Sequence, residues 1–169
     1  MIFKINKRGV FSFFVLLFCI SAVSVLFTEK FDIEHPIKNP LRYTDKEKCD
    51  NCSMSRNKWA RTRYEFETSK GKIYTCSIHC VVVMSMRLKE EPKDVKVAEY
   101  LCPERMIDAD KAFYVIDSTA PGTMTKRSKI TFSTKEKAEK FAARYGGTVA
   151  MFEDALSETK KEVHIHKFQ

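Results

Sequence analysis

KIYTCSIHCVVVMSMRL, residues 72–88, starts as a strand and continues as a helix. Lys72 to Cys76 has the β-branched and aromatic content of a short strand. From Ser77 the residues are helix-compatible despite a valine run, and Pro92 sets the stop. A second stretch, KITFSTKEKAEKFAARY at 129–145, follows the same plan. There Ser133 and Glu136 read as a capping box, and Ala138, Phe141 and Ala142 form an apolar stripe ending at Gly146. The first helix begins with Cys76 and Cys80 instead, so it gives up ordinary capping for groups that can bind a metal.

Working outward, RTRYEFET (61–68) alternates as a strand and SKG (69–71) turns the chain into KIYTC. KVAEYL (96–101) supplies a further strand. In the second half KAFYVID (111–117) is a strand, STAPGTMTKRS (118–128) a long loop, and TVAMFED (148–154) a closing strand. The class is α+β, with two similar β-β-α-β units at about 48–102 and 103–155 and a solvated tail at 156–169. Duplication rests here on the pattern and on the shared Lys-Ile pair.

The chain has 169 residues, 44% hydrophobic and 31% charged with 5 Gly and 5 Pro, so most of it should fold. Its net charge of +8 is dispersed, as in KEKAEKFAARY, without a run of like charges. That is the composition of a solvated surface, and nucleic acid is not expected as a partner.

The N-terminus points to a membrane. Lys4, Lys7 and Arg8 precede VFSFFVLLFCISAVSVLF, 18 uncharged residues at 10–27, with Glu29 and Asp32 beyond. This charge asymmetry places the N-terminus inside and the rest outside. AVS at 22–24 offers a signal-cleavage site, but an uncleaved anchor over 1–27 is favoured. Residues 28–47, with two prolines and many charges, read as a tether.

Five cysteines lie outside the apolar run: 49, 52, 76, 80 and 102. Cys49-x2-Cys52 forms a knuckle, a hairpin follows, and Cys76-x3-Cys80 sits at a helix start, where free N–H groups favour thiolate. Four thiolates suit structural zinc, whereas copper(I) favours thiolate with thioether. Met54 beside the knuckle and Met124 in the long loop are the features zinc does not need, and His79 is a weaker candidate. An exported chain also admits, as a minority reading, a disulfide staple between the two pairs, although five thiols leave one over. A redox Cys-x2-Cys lacks the flanking strand and helix it would use. His164 and His166 read as part of a frayed end. No phosphate loop, Ser-His-Asp set or carboxylate pair argues for catalysis or for a small-molecule substrate.

CDNCSM with GKIYTCSIHC, then MIDADKAFYVIDSTAPGTM, then FSTKEKAEKFAARYGGTVAMFED resemble, in that order, the NosL family. The cysteine pairs are more loosely similar to TRASH/YHS metal-binding modules. The resemblance covers roughly 48–155. It implies treble-clef-like units in a non-enzymatic, membrane-attached copper(I) chaperone on the periplasmic side of the inner membrane. The implied recipient is a periplasmic copper enzyme such as nitrous oxide reductase. Cys49, Cys52 and Met54 fall on the family's metal-binding motif and Met124 on its loop methionine; Cys76 and Cys80 are closer to the TRASH pattern. Two departures stand out. Ser53 replaces the usual Gly, and Cys19 follows Phe18, so no lipid-anchor cysteine is evident.

Overall fold

The computed structural model describes Tyr43 and residues 46–166. The apolar run 10–27 and most of the tether lie outside these residues. No helix among the described residues is long and apolar enough to cross a membrane.

Two small antiparallel sheets carry the fold. The first is built from β1 (Tyr64–Thr68), β2 (Gly71–Thr75), β3 (Lys93–Glu99) and β4 (Cys102–Asp108), in the order β2-β1-β3-β4. The second is built from β5 (Phe113–Ile116), β6 (Lys129–Phe132) and β7 (Thr148–Ala150), in the order β6-β5-β7. Helix α1 (Ile78–Leu88) joins β2 to β3, and α2 (Lys135–Tyr145) joins β6 to β7. Each half thus opens β-β-α-β, with its first strand paired on both sides, and β4 adds a fourth strand to the first sheet.

Burial explains how α1 tolerates its valines. Val81 and Val82 are fully buried among Tyr64, Phe66, Val97 and Tyr114, and that packing outweighs the modest helix propensity of β-branched residues. A second apolar knot joins Tyr100 of the β3–β4 turn to Phe132 and Phe141, with ring centroids 5.0–6.1 Å apart.

Four expectations need correction. KVAEYL does not end as one strand: β3 stops at Glu99 and the chain turns back into β4, with Val97 opposite Ile107. Pro103 and Arg105 disguised β4 in the sequence, and Pro is tolerated there because β4 is an edge strand. The division at residue 102 therefore cuts the first sheet, and the halves meet at the short turn Ala109–Lys111. The cap of α2 is Thr134, which accepts from Lys137 N at 3.3 Å; Ser133 is occupied elsewhere.

The largest difference is at the C-terminus. TVAMFED is a strand only through Ala150, and the expected tail is a third helix, α3 (Phe152–His166). Phe152, Ala155, Leu156 and Thr159 recur at helical spacing and are all buried. Phe152 stacks near Tyr114, and α3 packs against α1. Charged residues between those positions masked the stripe. His164 is an exposed residue of this helix rather than part of a frayed end.

Phe152→Ala should therefore cost about 3–5 kcal/mol in urea unfolding, as for a core aromatic. A residue of a solvated tail would cost nothing measurable.

Candidate metal centre

The knuckle is held by backbone bonds before any metal is considered. Cys49 N donates to Met54 O at 3.0 Å, and Ser53 N to Cys49 O at 2.9 Å. Asp50 N donates to Tyr74 O, and Tyr74 N returns a bond to the Asp50 carboxylate, both at 2.8 Å. The knuckle is thereby stitched to β2, the strand that leads to Cys76. Arg56, fully buried, clamps the same junction: its guanidinium donates to Thr75 O, Lys46 O and the Glu65 carboxylate at 2.8–3.2 Å. Ser53 sits at φ 61, in the left-handed region that favours glycine, which accounts for the Gly usual there in the resembling family.

Cys76 follows β2 directly and Cys80 lies in the first turn of α1, so both face the knuckle. The four sulfurs of Cys49, Cys52, Cys76 and Cys80 all lie within 4.8 Å of one another. Cys52–Cys76 is 3.5 Å, Cys52–Cys80 3.7 Å and Cys76–Cys80 3.8 Å. A tetrahedral ion with metal–sulfur bonds of about 2.3 Å needs sulfur–sulfur edges of about 3.8 Å. Cys49, Cys76 and Cys80 are buried, while Cys52 is half-exposed. All five described cysteines are free thiols, so no disulfide staple joins the pairs.

Met124 reaches this cluster from the other half of the chain. Its Sδ lies 3.8 Å from Cys80 Sγ and 4.0 Å from Cys76 Sγ, yet the residue is 42% exposed. Its backbone is also left-handed, at φ 58. The loop is pinned on both sides. The Thr62 hydroxyl lies 3.0 Å from Thr123 Oγ1 and 3.0 Å from Cys76 O, while Lys126 N and Arg127 N donate to the Glu162 carboxylate. Met54 packs against the cluster together with Trp59. His79, half-buried, is outside the group of mutually close ligand atoms.

Sequence reading missed the groups that orient these sulfurs. Asn51 Nδ2 donates to Cys80 Sγ at 3.3 Å, and Arg87 holds the Asn51 carbonyl at 3.2 Å. Arg87 thus acts on the Cys80 sulfur through an amide, a relay visible only once α1 folds over the knuckle. Thr62, Thr123 and Glu162 are equally inconspicuous in sequence.

Protons are shared unequally across the cluster. Hydrogen bonds from Cys76, then Cys80, hold the Cys49 thiol far below its ordinary value. The bonds to Cys49 push Cys76 and Cys80 up, and burial adds to both. Burial and the bonds to Cys49 thus oppose charge on Cys76 and Cys80, and a cation at the centre would offset that cost.

Cobalt(II) added to the reduced protein should give tetrahedral thiolate absorption saturating at one equivalent. Cys76→Ser should abolish or shift the band. Cys102→Ser should leave it intact, since that thiol donates to Glu104 at 3.0 Å.

The NosL family model matches residues 40–159. Among solved structures, the copper chaperone NosL from Shewanella denitrificans aligns at 22% identity with a TM-score of 0.52. The alignment covers 70% of this chain and 96% of that one, and at this identity the likeness is one of fold. No curated protein matches the sequence. The family match spans most of the chain and takes in both cysteine pairs and Met124, so the chain belongs to the NosL family.

Proposed function

We propose that this protein is a copper(I) chaperone, not an enzyme. It holds one ion at Cys49, Cys52, Cys76 and Cys80 with thioether help from Met124 and Met54. It passes that ion to a periplasmic copper enzyme such as nitrous oxide reductase. The observation that carries the reading is Met124: a thioether within 4.0 Å of two buried thiols and itself 42% exposed. Structural zinc has no use for a sixth, solvent-facing sulfur, whereas a soft monovalent ion bound by thiolate and thioether does.

Delivery follows from this layout. Cys49, Cys76 and Cys80 are closed off, so a recipient's soft donor enters on the side of Cys52 and Met124. The neutral thioether is the weakest donor and leaves first, and the thiolates release the ion only as the recipient's ligands close on it. Family membership supports the cargo, as does the likeness in fold to the copper chaperone NosL of S. denitrificans. The basic residues before the apolar run at 10–27 support an uncleaved anchor, with the domain on the outer side of the inner membrane. The repeated β-β-α-β order supports reading each half as a treble-clef-like unit.

A second reading rests on the thiol geometry. Edges of 3.5–3.8 Å suit a tetrahedral divalent ion, which also neutralises more thiolate charge than a monovalent one. On this reading the centre holds structural zinc.

Copper(I) competition titration of the reduced full chain tests the proposal. Met124→Ala should weaken binding about tenfold, ~1.4 kcal/mol, and Cys76→Ser considerably more. An affinity unchanged by Cys76→Ser would overturn the copper centre. Tightly held zinc in protein purified without added metal, with unfolding on chelation, would favour the second reading.

A further inference from the structure

The two halves match closely enough to compare position by position. Helices α1 and α2 each have 11 residues, and laid together they pair Cys76 with Ser133, Ser77 with the Thr134 cap, and Cys80 with Lys137. Each helix is followed by a left-handed residue, Lys89 at φ 55 and Gly146 at φ 73. Each preceding hairpin is closed by the corresponding pair, Tyr64 with Thr75 and Phe113 with Phe132. The knuckle has a counterpart too. Cys49-x2-Cys52 ends twelve residues before Tyr64, and Glu99-x2-Cys102, at the β3–β4 turn, ends eleven before Phe113.

The paired positions converge in both halves. In the first they bring sulfurs together. In the second, Ser133 Oγ donates to the Glu99 carboxylate at 2.7 Å and Lys137 Nζ at 2.6 Å. Arg105 adds a third bond at 3.0 Å, and Glu99 has no exposed surface. Burial alone would raise the Glu99 pKa, but the Lys137 and Ser133 bonds outweigh it and hold the carboxyl below its usual value.

We propose that the Glu99–Ser133–Lys137 cluster, in which the β3–β4 turn of the first sheet lends Glu99 to the start of α2, is the counterpart of the cysteine centre at the second helix, with an ion pair standing where the first helix holds a metal. The inference rests on the metal reading of the first half. In sequence, Cys102 holds the place that Cys52 holds in the first knuckle, although its thiol here donates to Glu104. A buried carboxylate bonded by an ammonium cross-links turn to helix as a metal would, and needs no cargo to do so. The second half therefore stays folded when the chaperone is empty. Its hairpin spans twenty residues from Phe113 to Phe132, against twelve from Tyr64 to Thr75, and the added length carries Met124 to the first half's thiols. One half changes its metal content, and the other holds the arm that receives the ion.

The test restores the missing ligands in the full chain. Glu99→Cys, Ser133→Cys and Lys137→Cys are combined, with Cys102 already in place. Titrated with cobalt(II) under reducing conditions, the unaltered chain should bind one equivalent and the triple variant two, doubling the tetrahedral thiolate absorption. A folded triple variant that still binds one equivalent overturns the proposal. If the unaltered chain binds none, the metal reading of the first half fails, while a gain of one equivalent in the variant still supports the counterpart. Should the variant not fold, hydrogen exchange on the unaltered chain decides. Chelation should reduce protection of residues 76–88 at least tenfold and leave 133–145 unchanged; equal loss in both overturns the proposal.

Discussion

The meeting of the Cys49–Cys52 knuckle with the start of α1 is the constraint on which the rest of the site depends. Buried thiols gain little from one another in a metal-free protein, and mutually close thiolates repel. The convergence must therefore be imposed from outside the cluster. Arg56 does this by satisfying three backbone carbonyls and a carboxylate from one buried guanidinium, and the Asp50–Tyr74 bonds set the register between knuckle and strand. With those contacts in place, the sulfurs meet at distances that fit an ion.

The second sheet serves that centre from a distance. Helix α3 joins the halves: its apolar side enters the core beside α1 and Tyr114, and its acidic residues Glu158 and Glu162 grip the β5–β6 loop. Lys129, almost wholly buried, meets Glu162 at 2.5 Å. The left-handed backbone at Met124 is thus held between two anchored loop ends, which fixes where the one exposed sulfur of the cluster points. Three buried thiols and the half-exposed Cys52 therefore sit beside a methionine that solvent reaches.

Some of this was legible before folding. Local signals act within a few residues, so the hairpins at 64–75, the helix at 135–145 and the helix-start cysteines could be read directly. Met124 was singled out by its loop context and by resemblance, and the structure does bring it to the thiols. The signals that failed were those a neighbour supplies. β4 exists because β3 offers it an edge, despite Pro103. The stripe on α3 is sparse and becomes a helix because α1 and Tyr114 cover it. Ser133 looked like a cap and is instead a partner of Glu99, thirty-four residues away.

By itself the sequence determined which residues are soft donors, that two strand–helix units follow one another, and that a basic stretch and an 18-residue uncharged run precede them, because composition, spacing and periodicity are properties of the local chain. Only the tertiary structure decided which donors lie together, that Asn51 and Arg87 are hydrogen-bonded to them, and that Ser133 and Lys137 meet Glu99 at the matching helix start. These depend on distances between segments far apart in the chain, which are set by packing rather than by any local pattern.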